Sequence, residues 1–255
     1  MDNVIFFDMD GTLLDTERWY TKAWSQAFAD CGYPLPIEDV LQVRSLGRPF
    51  CYDWAREKLG PDADLEIIRA RRMEIMKPWM EGEIPVKPMA RETLAVLRRR
   101  GYRTAVVTAS REERTRKLLK KTGLESFFDR IICASVVERG KPAPDVYLYA
   151  CEQMCALPEE QFLRQNSVNG ACASAGEAKH TLHDVRPAAY AKEDSSDGVR
   201  PAAYAVEDSP NGVRSAAAAG CRVIMIPDLT QPDPETAGLL WKKADTLADL
   251  TEIFL

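Results

Sequence analysis

The stretch VIFFDMDGT, residues 4–12, decides how this chain is read. Val4 to Phe7 form a short, continuous apolar run, the pattern of a strand buried on both faces. Asp8 ends the run and Asp10 follows two residues later. Two carboxylates so spaced, just past a strand end, can both turn into one cleft, and Gly11 permits the tight turn. Taken alone, DxDGT would also suit a plain loop or a fragment of a calcium site. Its place after a buried strand makes it more specific.

Similar apolar runs recur at Thr104–Val107, Ile131–Cys133, Ala203–Val206 and Val223–Ile226. Helical patterns lie between them at Arg91–Arg100, Arg111–Lys121, Asp145–Cys155 and Val213–Ala219. Strand alternating with helix predicts an α/β fold: a doubly wound, Rossmann-like parallel sheet with its strand C-termini, and so its ligand site, on one edge. Residues 15–81 break the alternation. They carry amphipathic helical patterns at Thr16–Cys31, Phe50–Leu59 and Leu65–Met76, with Pro34 and Pro36 between them and no clear strand. The expected organisation is a core over 1–14 and 82–255 with a small helical cap inserted over 15–81.

The composition is that of a soluble globular protein, 45% apolar and 29% charged, with a formal net charge of −5. That balance gives no sign of a nucleic-acid surface, and Arg98-Arg99-Arg100 reads as a solvated helix end. No apolar run approaches a membrane span, and MDNVIFFDMDG lacks the regions of a signal peptide. The seven cysteines are odd in number and not framework-spaced, so reduced thiols and a cytoplasmic location are expected. Cys151 and Cys155 suit helix packing better than metal binding, because no matching ligand pair accompanies them.

With Asp8-Met9-Asp10-Gly11-Thr12 in place, further motifs follow in order. Thr108 ends a strand within VVTAS, Lys141 lies in GKPAPD, and Glu207-Asp208 opens EDSPNG. Together these resemble the haloacid dehalogenase superfamily of phosphotransferases. The likeness is to the branch with a helical cap after the first strand, which includes beta-phosphoglucomutase and sugar-phosphate phosphatases. It covers the chain except about 165–206. The resemblance implies Asp8 as nucleophile, forming an aspartyl phosphate, and Asp10 as acid and then base. It implies Thr108, Ala109, Ser110 and Lys141 around the transferring phosphoryl group. It also implies Mg²⁺ held by Asp8, Asp10 through its main-chain carbonyl, and Asp208, with Glu207 in support. The residue types agree with that chemistry: a carboxylate attacking an anionic ester needs its repulsion screened, and Mg²⁺ takes hard oxygen ligands. The dehalogenase branch lacks the second aspartate, so Asp10 favours phosphoryl transfer.

Within the cap, Arg44 and Arg48 of VRSLGRP fall where the resemblance implies substrate contacts. The mutase pattern has a histidine where this chain has Tyr20. The expected function is therefore a Mg²⁺-dependent phosphatase acting on a small phosphate monoester such as a sugar phosphate. A phosphosugar mutase and a non-enzymatic protein with a disrupted fourth motif stand as alternatives. No nucleic-acid or membrane partner is expected, and the protein is expected to be a monomer or weak dimer. Trp19, Tyr20 and Trp24 could stack on a sugar face or serve as core.

The chain also repeats itself. VRPAAY occurs at 185–190 and 199–204, and EDSSDGVR is followed by EDSPNGVR. At a period of 14 the units are 165–178, 179–192, 193–206 and 207–220, the first two degenerate. Such units are too short and polar to stack as a solenoid. The reading is one enzyme with a tandemly expanded fourth motif and a surplus over 165–206. The last copy is favoured as the working one: an apolar strand precedes it, both carboxylates are present, and Gly220 ends a Pro-free helix. Asn166 in the first unit and Glu193-Asp194 in the third are its rivals, and His180 and His183 form a weak HxxH within the surplus.

Overall fold

Val4–Phe7 (β1) is the centre of a six-stranded sheet in which every pairing is parallel. The others are β2 (Arg103–Thr108), β3 (Arg130–Cys133), β4 (Ala203–Glu207), β5 (Arg222–Met225) and β6 (Leu240–Lys243), in the order β3-β2-β1-β4-β5-β6. This computed structural model describes residues 3–154, 156 and 203–255. Asn166, His180, His183, Glu193 and Asp194, and most of the repeated units with them, lie outside the described residues. The expected α/β architecture is observed, and the predicted strands hold to within about a residue. β6 was not expected from LWKK, because it is an edge strand whose second half is charged and exposed.

The helices are α1 (Glu17–Asp30), α2 (Ile37–Val43), α3 (Phe50–Leu59), α4 (Leu65–Glu81), α5 (Ala90–Arg99), α6 (Glu112–Lys121), α7 (Asp145–Gln153), α8 (Pro210–Ala218), α9 (Pro234–Gly238) and α10 (Leu250–Ile253). α2, between the prolines and the VRSLGRP turn, has no signal strong enough for sequence reading. It is only two turns long and buries just Val40 and Val43. α4 runs past the expected end at Met76 to Glu81, although it contains Pro78. A proline this close to a helix end removes one hydrogen bond and leaves the remaining turn intact.

Residue alternation along β1 explains the layering. Val4 and Phe6 join one apolar cluster, with α7 and α8, and Ile5 and Phe7 join the other. Phe6 is flanked in register by Ala105 of β2 and Ala205 of β4, and meets the edge of Tyr147 across the layer. These small neighbours make room for the phenyl ring and for the Ala-rich α8, which packs on β4 and β5. The helices α1 to α4 build their own interior: Trp24 stacks on Phe28, Phe28 meets Trp54, and Ile68 and Met76 of α4 are buried.

Two chain crossings join these four helices to the sheet, and they are tied to each other. Leu14 and Val86 form an antiparallel bridge, the Asp15 amide donates to the Pro85 carbonyl, and the Lys87 amide donates to the Leu13 carbonyl. Lys87 Nζ reaches Asp15 at 3.1 Å and Asp228 at 2.8 Å. A second seam is backbone on backbone. The Gly47 amide donates to the Lys141 carbonyl at 2.7 Å, and the Gly140 amide donates to the Arg48 carbonyl at 2.6 Å. A Cβ on Gly47 would lie 2.6 Å from the Gly140 Cα, so the approach needs glycine.

The tight fit around Phe6 has a measurable consequence. Ala205→Leu would force three carbons between Phe6, Val223 and α8, an overpacking expected to cost about 1–3 kcal/mol. A thermal melt should show Tm lowered by about 2–4 °C for each of those kcal/mol. An unchanged Tm would show that this layer is not close-packed.

Candidate active site

The ends of β1, β2 and β4 deliver their side chains to one place. Asp8 follows β1, Thr108 ends β2, and Glu207 ends β4 with Asp208 next. This is the edge where a parallel sheet reverses its winding order. Carboxylate oxygens of Asp8, Glu207 and Asp208 lie within 4.8 Å of one another, all three residues buried. The last copy of the repeat is thus the one beside Asp8. Locally, Ser209 caps α8 by accepting from the Gly212 amide, with Pro210 in the first turn, so the strand turns into helix directly after the two carboxylates. A Cβ at Gly212 would lie 1.9 Å from Glu207 Oε2, and one at Gly11, where φ is +96°, would lie 2.4 Å from Asp208 Oδ2. Both glycines are where the backbone must come closest to the acids.

Lys141 holds the cluster together. Its Nζ donates to Asp8 Oδ1 at 2.6 Å, to Glu207 Oε1 at 2.6 Å and to the Val107 carbonyl at 3.1 Å. Burial works against its charge, but Asp8 and Glu207 more than offset that, and its pKa is raised. The Tyr147 hydroxyl also donates to Glu207 Oε1. Glu207 is therefore a partner of Lys141 and Tyr147 on one oxygen, while its other oxygen is buried with no hydrogen bond.

Arg44 lines the cleft, with its side chain buried. It donates to Glu17 at 2.5 Å and to Thr230 at 3.2 Å, and lies 3.8 Å from Asp208. The next residue, Ser45, accepts from Asn211 at 3.0 Å. Arg48 is not among the residues lining the cleft. It is half exposed, pairs with Glu66 at 3.2 Å and lies over the Tyr52 ring. The reason is local: the Gly47–Gly140 seam pins the Arg48 backbone, and its side chain leaves toward α4.

Asp10 faces away from the acidic cluster. Arg114 of α6 grips it with two hydrogen bonds, at 2.8 and 3.1 Å, Thr16 donates at 2.6 Å and Ser110 at 2.8 Å. Burial alone would raise its pKa, but Arg114 and these donors outweigh it and hold the group ionised. The main-chain carbonyl of Asp10 accepts no hydrogen bond among the described residues. Thr108 Oγ1 accepts from the Ser110 amide at 3.1 Å, and Thr108, Ala109 and Ser110 all line the cleft.

Of the aromatics, Tyr20 and Trp24 line the cleft of about 350 Å³. Trp19 does not; it packs on Trp79. Neither is a free sugar platform. Guanidinium groups of Arg72 and Arg114 lie 5.2 and 4.9 Å from the Tyr20 ring centre, and Trp24 is taken by Arg72 and Phe28. Sequence reading missed Arg114, Glu17, Tyr147 and Arg72. Only Arg114 had a signal: it sits in the first turn of the helix that follows the VVTAS motif.

The charges suit a divalent cation. Four carboxyl groups, those of Asp8, Glu17, Glu207 and Asp208, share the buried cluster with two cations, Lys141 and Arg44. Burial raises the pKa of Asp8 and of Asp208 well above the ordinary carboxylate range, and neighbouring acids add to it. Asp208 Oδ2 is buried with no hydrogen bond. Hard oxygen donors, carboxyl groups in excess of cations and a buried acceptor without a donor are what Mg²⁺ would satisfy.

Comparison with known proteins agrees with this geometry. Residues 3–161 match the haloacid dehalogenase-like hydrolase family. The chain is 30% identical to a phosphorylated carbohydrates phosphatase of Thermotoga maritima, over 71% of this chain and 87% of that one. It is 27% identical to the fructose-1-phosphate phosphatase YqaB of Escherichia coli, over 61% and 82% respectively. Among solved structures, CbbY from Rhodobacter sphaeroides in complex with phosphate superposes with a TM-score of 0.67 at 27% identity, covering 98% of this chain and 96% of that one.

Glu17 makes the charge surplus readable by pH. Burial raises its pKa from 4.5 to about 7 despite Arg44. Between those values the folded chain keeps a proton that the unfolded chain has released, so this contribution to stability is complete below pH 4.5 and is lost as pH rises through about 7. In EDTA, Tm should fall across that window, and Glu17→Gln should shallow the fall. An identical slope in the variant would contradict the assignment.

Proposed function

The chain belongs to the haloacid dehalogenase-like hydrolase family and is a phosphoric monoester hydrolase; from that premise we propose that it dephosphorylates a small phosphorylated sugar through an aspartyl phosphate on Asp8, with Mg²⁺ as cofactor. The observation that carries this reading is the meeting of Asp8, Lys141 and Asp208 at one buried point of the sheet edge. The names of the two relatives, one acting on phosphorylated carbohydrates and one on fructose 1-phosphate, supply the substrate class.

When bound, Mg²⁺ would screen the negative charge of nucleophile and ester; Asp8, Asp208 and the Asp10 carbonyl would hold it, with Glu207 behind them. An Asp8 oxygen attacks phosphorus, and the bond from phosphorus to the sugar oxygen breaks with its electron pair going to that oxygen. Lys141 offsets part of the burial penalty on the Asp8 charge and aims the carboxylate, and Thr108 with the Ala109 and Ser110 turn holds the transferring oxygens. Asp10 supplies the proton to the leaving oxygen, then takes one from the water that cleaves the aspartyl phosphate. In the arrangement observed, Arg114, Thr16 and Ser110 hold Asp10 in the basic form required by that second step. Helices α1 to α4 serve as the cap that covers the cleft and excludes other water.

The alternative of a non-enzymatic protein fails on the placement of Glu207 and Asp208 beside Asp8. Nothing in the cleft favours a mutase, since Tyr20 stands at the histidine position and no histidine lies among the described residues.

Phosphate release from a panel of sugar phosphates tests the reading. Activity should vanish in EDTA and return with Mg²⁺. Asp8→Asn should abolish turnover, and Asp10→Asn should lower it about a thousandfold, roughly 4 kcal/mol of barrier. Asp208→Asn should raise the Mg²⁺ concentration needed for half activity at least about tenfold, an amide being a poorer ligand for a hard cation. Turnover surviving in Asp8→Asn would refute the mechanism.

A further inference from the structure

Arg44 belongs to the helical segment, but one arm of its guanidinium reaches the sheet half. It caps the C-terminus of α2, just before the Gly47 seam. Nη1 donates to Glu17 of α1 at 2.5 Å. Nη2 donates to Thr230, in the loop after β5, at 3.2 Å and lies 3.8 Å from Asp208 Oδ2. That last distance is too long for a hydrogen bond, so the attraction there is one of charge. Among the described residues Arg44 is the only cation within 4.0 Å of Asp208. The other ties between this turn and the sheet half run through uncharged atoms. Ser45 accepts from Asn211 at 3.0 Å, and Gly47 and Arg48 meet Lys141 and Gly140 by main-chain hydrogen bonds.

Asp208 Oδ2 therefore has two calls on it. It is the buried acceptor without a donor that a divalent cation would take, and it is the atom that faces Arg44. A divalent ion on that oxygen and the guanidinium repel each other. Arg44 keeps a second partner in Glu17, so it can give up Asp208 without being left unpaired. We propose that Arg44 is a positioning residue that couples the cation site to the helical segment: its pull on Asp208 seats the turn after α2, and a divalent cation on Asp208 and this tether each weaken the other. Such a coupling is reciprocal, the ion loosening the turn by the same factor as the turn weakens the ion. The inference rests on Mg²⁺ being the cofactor of the proposed hydrolase.

Calorimetric titration of the whole protein with Mg²⁺ alone measures the coupling without turnover. Arg44→Met should bind Mg²⁺ at least about tenfold more tightly than the wild-type protein, a repelling cation having been removed. Arg44→Lys keeps the charge and a partner for Glu17, and it carries the test should Arg44→Met fail to fold. A single ammonium cannot span Glu17, Thr230 and Asp208 as the arginine fork does, so Arg44→Lys should bind Mg²⁺ at least about threefold more tightly than wild type. Wild-type affinity in Arg44→Lys would show that only the net charge of the cluster matters and would overturn the tether. Amide exchange followed by NMR reads the other half of the coupling. Mg²⁺ should speed exchange of the Gly47 amide, which donates to the Lys141 carbonyl, at least about threefold in the wild-type protein and leave it unchanged in Arg44→Lys. Exchange that Mg²⁺ slows or does not alter in the wild-type protein would also overturn the tether. A wild-type protein that binds no Mg²⁺ would bring down the cofactor reading and this inference together, whereas equal binding by all three proteins would bring down this inference alone. Mg²⁺ affinity that depends on Arg44, in a protein that hydrolyses no phosphate ester, would support the coupling while the hydrolase reading falls.

Discussion

One ammonium group sets the terms for everything around it. Among the described residues Lys141 Nζ is the only cation in direct contact with Asp8, and it touches Glu207 and the Val107 carbonyl at the same time. Burying a carboxylate without a partner costs several kcal/mol. Two strand ends, those of β1 and β4, can therefore bring their acids together only where such a cation already stands. The lysine is fixed in turn: its own carbonyl receives the Gly47 amide, and Tyr147, six residues on, meets the same Glu207 oxygen. The sheet order, the position of α7 and the seat of the helical segment all converge on that nitrogen.

Lys141 and Arg44 together do not neutralise the cluster, and that incompleteness has a use. A fully compensated site would have no affinity for a further cation. Here the carboxyl groups outnumber the cations by two, and Asp208 keeps an oxygen with no donor. Asp10 is kept out of this accounting, since Arg114 matches its charge. Asp8 and Asp10 thus stand two residues apart with different partners, Lys141 for one and Arg114 for the other, and partners of that kind let similar carboxylates titrate differently.

Much of this was legible because it is written locally. VIFF followed by Asp8, AVVT ending at Thr108 and AYAVE ending in the acids each announce a strand and its functional end within a few residues. The preference for the last repeat copy came from the same kind of signal, since β4 is buried at all five positions and a charged strand would not be tolerated there. The expectations for Arg44 and Arg48 rested on their place in a motif that resembles the family's, and place in a motif does not say which way a side chain leaves. Arg44 is drawn in by Glu17, 27 residues earlier, and Arg48 is drawn out by Glu66, 18 residues later. Arg72 and Arg114 reach the cleft only because α4 and α6 cross it from opposite sequence neighbourhoods. No one-dimensional pattern encodes such a meeting. The charge surplus is likewise a property of the assembled cluster, not of any motif.

The contact between Gly47 and Gly140 has a consequence for how such a protein can diversify. It joins the helical segment to the lysine loop through main-chain atoms alone, with reciprocal hydrogen bonds and no room for a side chain at either position. A joint of that kind is indifferent to the identity of nearly every other residue in the helices. Lineages could therefore exchange whole helical segments, and with them the lining of the cleft, as interchangeable parts. What each transplanted segment must carry is one glycine at the right register, because neither glycine can be replaced by adjusting the other.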